Sequence, residues 1–257
     1  MIHMEIISSI SNARVQSLRS LYTKKGRDEQ SAYVVEGVNI VKDIPDAIRP
    51  VAYYFAAGKY DELRYVIKHT DVPVYLVADE LFRRVVDTVT PSGVVAVLPV
   101  PVGGDYIQSD RLLVLDGVSD PGNVGTILRT AIAAGYTDVV LLGGADPYSP
   151  KVVRASMGGI YRLNVHRLTM SEWHWSHTVF IMDMAGESIY DAVPPARYAL
   201  VVGNEALGIS DAMRSRADRV LSVPMQGGIE SLNVAVAAAI GMYQLNANAR
   251  AHSPNDN

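Results

Sequence analysis

The chain has 257 residues, 49% of them hydrophobic, with a formal net charge of −4 and no cysteine. That length and apolar content suit one large domain or two modest ones. The lack of cysteine excludes disulfides, thiolate metal sites and a cysteine nucleophile, and the mild negative charge argues against indiscriminate binding to nucleic-acid phosphates.

The opening, MIHMEIISSISNAR, lacks a long apolar core behind a basic region, so no signal peptide is expected. No run of about 18 apolar residues follows, so no membrane span is expected and a cytoplasmic protein is the default. The charge is uneven. Within residues 1–27, Arg14, Arg19, Lys24, Lys25 and Arg27 stand against Glu5 alone. Such an arm suits phosphate contacts, and a solvated helix face is the alternative. Ala13–Lys25 has helical spacing, with Val15, Leu18, Leu21 and Tyr22 on one face. Strands are expected at Ala32–Val35, Val51–Ala56, Val72–Val77 and Gly93–Leu98, and helices at Asp61–His69 and Asp79–Asp87. The Pro- and Gly-rich stretch Leu98–Asp110 contains the expected linker, residues 101–110, between a domain at 1–100 and a second at 111–247. Residues 248–257 are expected to be a flexible tail.

In the second part, strand Leu112–Leu115, helix Val124–Ala134 and strand Asp138–Leu142 form a βαβ unit, which implies a parallel sheet. Further strands are expected at Thr178–Met182, Ala199–Val202 and Val220–Val223, and a closing helix at Ser231–Leu245. His174 and His177, beside Trp173 and Trp175, have a spacing that invites a metal site. No acidic ligand set accompanies them, and a surface connection is the expectation.

Three turns carry the chemistry. The first, DPGNVGTILR at 120–129, opens a helix whose free N–H groups favour a polar ligand. Arg129 is the one charged residue between Asp120 and Asp138, and in so apolar a helix it needs a partner. A structural ion pair is the alternative to a ligand. The turn is not a GxGxxG fingerprint, and no acidic residue closes the next strand, so a nicotinamide-dependent oxidoreductase is disfavoured. The second turn, VVGNEALGIS at 201–210, puts Gly203, Asn204 and Glu205 after a strand, where open α/β sheets bind their ligands. The third, 223–233, places Gly227 and Gly228 before Ser231, Leu232 and Asn233. Ser231 and Asn233 serve as helix caps or as ligand contacts.

Together these segments resemble the SpoU/TrmH family of SPOUT RNA methyltransferases. The resemblance rests on NVGTILR at 123–129, VGNEALGI at 202–209 and VPMQGGIESLNV at 223–234, in that order, joined by KVVRASMGG at 151–159. Ser119-Asp120 stands where many members carry Gln-Asp, with little consequence expected. Residues 10–39 resemble, more softly, the smaller α/β RNA-binding domain of many members.

The resemblance implies a fold that periodicity alone does not: an α/β SPOUT knot, a trefoil-knotted Rossmann-like parallel sheet. It also implies S-adenosylmethionine as cofactor, a homodimer, no metal, and methyl transfer to a ribose 2′-hydroxyl of structured RNA. Ribosomal RNA is favoured over transfer RNA, and a non-catalytic cofactor- and RNA-binding protein is the alternative from another class. The implied catalytic residues are Arg129, Asn123, Glu205, Ser231 and Asn233; the Arg129 guanidinium suits holding an RNA phosphate, because arginine stays protonated, and an Arg-assisted base is the alternative. The cofactor falls to Val202, Gly203, Asn204, Val223, Met225, Ser231 and Leu232. RNA contacts are expected from Arg14, Lys24, Lys25, Arg27, Lys151 and Arg154, with a solvated helix start as the alternative for Lys151 and Arg154. Tyr22, Tyr53 and Tyr54 are candidates for base stacking, with a place in the core as the favoured alternative for Tyr53 or Tyr54.

Overall fold

The structure, a computed structural model, describes residues 5–101, 107, 109–172, 174, 176–228 and 230–252. It divides into two compact units, Met1–Val102 with Tyr148–Tyr161, and Gly103–Pro147 with Arg162–Asn257.

In chain order the first unit opens with β1 (Ile6–Ile7), α1 (Ala13–Ser20), α2 (Lys24–Gln30), β2 (Ala32–Glu36) and α3 (Val38–Lys42). β3 (Ala52–Ala56), α4 (Tyr60–Leu63), β4 (Val74–Val77), α5 (Asp79–Val85) and β5 (Val94–Pro99) follow. The strands form one mixed sheet in the order β1-β4-β3-β5-β2. Tyr53 and Tyr54 of β3 are buried in it, as expected of core residues.

The single helix expected over Ala13–Lys25 is broken at Leu21–Thr23. Thr23 accepts the Gly26 amide and starts α2 afresh (3.1 Å). Arg27 turns inward, 5% exposed, and donates to the Leu21 carbonyl at the end of α1 (2.9 Å). Periodicity misses this, because an arginine that closes a helix end from within reads as a surface charge in sequence. The helix expected at Asp61–His69 is shorter too: α4 gives way to one 3₁₀ turn at Arg64–Val66.

The second unit continues with β6 (Arg111–Asp116), α6 (Pro121–Ala133) and β7 (Asp138–Leu142). α7 (Pro150–Ala155) then belongs to the first unit. There Tyr148 packs on the ring of Tyr33 (centroids 4.9 Å apart), and Arg154 faces Glu36 (3.6 Å) and Asp87 (3.4 Å). Apolar and ionic contacts thus draw residues 148–161, read in sequence as part of 111–247, into the first unit. The second unit closes with β8 (Asn164–Leu168), β9 (Thr178–Ser188), β10 (Tyr198–Gly203), α8 (Asp211–Arg214), β11 (Arg219–Ser222) and α9 (Val234–Ala251).

All pairings in this second sheet are parallel, in the order β11-β9-β10-β6-β7-β8. Its central strands are apolar on both faces, as a doubly covered parallel sheet requires; Leu112, Leu113, Val114, Leu200 and Val201 have no exposed surface. The chain runs outward through β6, β7 and β8, then crosses back to β9. The junction of β6 and β10 is therefore a switch point, and the loops at the carboxyl ends of those strands open a crevice there.

α9 begins at Val234 rather than Ser231, because the Asn233 side chain caps it by accepting the amides of Ala235 (2.9 Å) and Val236 (3.3 Å). It also runs past the expected end of the domain. Asn246 donates to the Ala134 carbonyl (2.7 Å), and Asn248 donates to those of Ile189 (3.0 Å) and Ala192 (2.8 Å). These buried amides hold residues 248–251 in helix where a flexible tail was expected. Residues 253–257 lie outside the described chain, as do 102–106 and 108 of the expected linker. Among the described residues no helix is long and apolar enough to cross a membrane.

Gly203, the last residue of β10, sits so close to the returning chain that an added Cβ would lie 2.4 Å from the Gly208 carbonyl oxygen. Gly203→Ala is therefore expected to destabilise the protein by about 1–3 kcal/mol, since neither backbone has room to yield. Equilibrium urea unfolding checks this; an unchanged midpoint would show that the turn is free to open.

Candidate functional site

The three polar turns meet at the carboxyl edge of β6 and β10. Asp120 accepts the Asn123 amide (2.8 Å) and, with Pro121, starts α6. Asn204 donates to the Gly117 carbonyl (2.8 Å) and the Ser119 hydroxyl (3.0 Å), while its carbonyl oxygen accepts the amides of Ala206 (2.9 Å) and Leu207 (3.0 Å). One asparagine therefore shapes the second turn and ties it to the first.

Glu205 completes the tie. One carboxylate oxygen accepts the Ser119 amide (3.0 Å) and hydroxyl (3.1 Å). The other accepts the Asp120 amide (3.0 Å) and the Asn123 side-chain amide (2.9 Å). The Asn123 oxygen in turn accepts from the Asn233 side chain (2.9 Å). Glu205, Asn123 and Asn233, one from each turn, thus form a continuous hydrogen-bonded relay.

Burial pushes the Glu205 carboxyl up, but the bonds from Asn123, Ser119 and Asp120 outweigh it and hold the group at about 2. A carboxylate that acidic, with both oxygens already accepting, is a poor acceptor for an alcohol proton at neutral pH. Its geometry suits a positioning group. Ser119 is a principal contact of that carboxylate, and nothing in the sequence signals a bond across 86 positions.

Beside the relay lies a cavity of ≈ 600 Å³. Val202, Gly203, Asn204, Val223, Met225, Ser231 and Leu232 all line it, together with Glu205 and Asn233. Sequence reasoning missed Met182, Asp183 and Met184 of β9, Leu221 and Glu230, which line it as well. The strand MDMAGES carries no turn signature that would have marked them.

Arg129 and Asn123 do not line the cavity. Arg129 projects from α6 into solvent and makes no ion pair or hydrogen bond among the described residues. The structural ion pair weighed for it is absent there. No carboxylate among the described residues pairs with it, and the guanidinium is open to an incoming anion.

The basic residues divide. Arg14 is exposed and lies over the Tyr75 ring, 4.5 Å from its centroid; Lys24 and Lys151 are exposed, and Lys25 faces Glu29 at 3.7 Å. Arg27 is buried, and Arg154 is engaged by Glu36 and Asp87, so neither is presented to a phosphate. Tyr22 packs against the first unit's core with its hydroxyl buried, which removes it as a stacking platform. His177 is buried, bonded to the Ser109 carbonyl (2.8 Å), not on a surface connection. Trp173 and Trp175 lie outside the described residues.

Residues 110–243 match the model of the SpoU rRNA Methylase family, and residues 12–96 match an MRM3-like substrate binding domain. The 23S rRNA (guanosine(2553)-2′-O)-methyltransferase RlmP of Bacillus subtilis is 33% identical over 250 residues, 94% of this chain and 99% of the relative. A putative TrmH-family RNA methyltransferase from Porphyromonas gingivalis superposes with a TM-score of 0.82 at 34% identity, covering 92% of this chain and 98% of that one. An AdoMet-bound rRNA methyltransferase from Sinorhizobium meliloti does so with a TM-score of 0.84 at 25% identity, covering 95% and 98%.

Proposed function

The chain belongs to the SpoU rRNA methylase family, and from that premise we propose that it transfers a methyl group from S-adenosylmethionine to a ribose 2′-hydroxyl of ribosomal RNA. The observation that carries this reading is the convergence of three separate turns, through Glu205, Asn123 and Asn233, on one cavity.

The cavity fits the cofactor. Its ≈ 600 Å³ falls in the range of small-ligand sites. Met182, Leu221, Met225 and Leu232 offer an apolar lining for a flat base, and Glu230 offers an acceptor for hydroxyl or ammonium groups. Val202, Gly203, Asn204, Val223 and Ser231 complete the binding surface. When bound, the sulfonium supplies an already activated methyl group.

The protein's work is alignment and charge. Arg129, exposed and unpaired among the described residues, holds an RNA phosphate and stabilises the alkoxide that develops as the hydroxyl loses its proton, which passes to the phosphate or solvent. The relay fixes the start of α6 and so the direction of Arg129. Ser231 and Asn233, both exposed at the cavity rim, face the target nucleotide. Arg14, Lys24, Lys25 and Lys151 contact RNA backbone.

The reading includes two features of assembly. The chain between β10 and α9 forms the trefoil knot of the SPOUT fold. The protein works as a cytoplasmic homodimer, with the exposed stripe of α9, Val236 at 48% and Tyr243 at 52%, as part of the contact.

The test is methyl transfer from labelled S-adenosylmethionine to ribosomal and transfer RNA taken from cells lacking the protein. Label recovered as 2′-O-methylribose in ribosomal RNA is expected. Label confined to transfer RNA would overturn the substrate, and none in either pool would overturn the activity.

A further inference from the structure

The strand β9 leaves its register with β11 just where it borders the cavity: Val220 pairs with Ile181, but Leu221 pairs with Glu187. The residues between bulge out of the ladder and put Met182, Asp183 and Met184 into the cavity lining. The Asp183 carboxylate is fixed on two sides. The Ala185 amide donates to one oxygen (3.0 Å) and the Arg214 guanidinium, from α8, donates to the other. Arg214 itself does not line the cavity. The lining therefore presents an anion whose counter-ion is set outside it.

Asp183, Glu205 and Glu230 line the cavity, and among the described residues no lysine or arginine does. Glu205 is already committed to four donors in the relay. S-adenosylmethionine carries a sulfonium, an ammonium and a carboxylate, so its net charge is one positive. Loss of the methyl leaves an uncharged thioether and a product of zero net charge. Shape changes by one methyl group, whereas charge changes by a full unit, so electrostatics is the larger handle for telling the two apart.

We propose, on the reading of this cavity as the S-adenosylmethionine site, that Asp183 is a specificity residue that favours the charged cofactor over the uncharged product, and that Arg214 sets the strength of that preference. A cavity that loses its electrostatic hold when the methyl departs releases product and reloads.

The experiment is calorimetric titration of wild type, Asp183→Asn and Arg214→Gln with S-adenosylmethionine and, separately, S-adenosylhomocysteine. Asp183→Asn is expected to weaken cofactor binding about tenfold and product binding by less than about twofold. Unchanged product affinity also reports that the variant is folded. Arg214→Gln leaves Asp183 uncompensated, so the affinity ratio is expected to move the other way, toward the cofactor. A purely structural role for the pair weakens both ligands together in both variants, and that result, or a ratio moving in the same direction in both, overturns the proposal. Wild-type protein that binds neither ligand removes the cofactor reading beneath it, a distinguishable failure.

Discussion

Arg129→Ala is expected to lower kcat for methyl transfer by about 10²–10³-fold, the usual loss when a single donor aimed at developing negative charge is removed. Cofactor affinity should stay within about twofold, because Arg129 does not line the cavity. Folding should be unaffected, since the side chain is exposed and makes no ion pair among the described residues. Arg129→Lys keeps the charge but loses the planar fork that matches a phosphate, and should fall between the two, about tenfold below wild type. Steady-state kinetics with titrated cofactor separates these effects. A kcat unchanged in Arg129→Ala would remove Arg129 from the chemistry, and a parallel loss of cofactor binding would make it a binding residue instead.

Glu205→Gln is expected to lower kcat by about 10- to 100-fold, through geometry rather than proton transfer. The carboxylate accepts four hydrogen bonds from Ser119, Asp120 and Asn123. A carboxamide offers one acceptor oxygen, and its NH₂ must face donors. Turned toward Asp120 and Asn123, that NH₂ makes Asn123 flip, which breaks its bond with Asn233; turned toward Ser119, it leaves the Ser119 amide without its acceptor. The loop that starts α6 then loses its anchor, and Arg129 loses its aim. The same bonds predict a pH effect. Glu205 is held at about 2 in the folded protein, against 4.5 ordinarily. Its contribution is full at neutral pH and is lost as pH falls from the ordinary carboxylate range toward 2. The stability gap between wild type and Glu205→Gln, followed by denaturant unfolding, should close over that interval. A gap that persists at the acid end would mean that the carboxylate's charge is not what ties the turns together.

The parallel sheet was largely legible in the sequence, because its strands are continuous apolar runs and α6 carries a Pro at its start. Elements whose residues are polar or whose limits are set by distant contacts were not. β8, NVHRL, has no apolar run, and its buried His166 is bonded by Asp138 of the neighbouring strand (3.0 Å). The break between α1 and α2 depends on Arg27 reaching inward, and the continuation of α9 depends on Asn246 and Asn248 finding carbonyls more than 50 positions away.

The same division holds at the site. By itself the sequence determined which residues are polar, small or flexible in three ordered turns, and that Arg129 stands alone in an apolar helix. Those are local properties, written in composition and spacing. Only the tertiary structure decided that Glu205 is saturated with donors, that Ser119 supplies two of them, that Arg27 and Arg154 are occupied, and that Asp183 lines the cavity. Most of these depend on which distant segment the fold brings within hydrogen-bonding or ion-pairing range, and a contact formed or refused there reverses what a side chain can do.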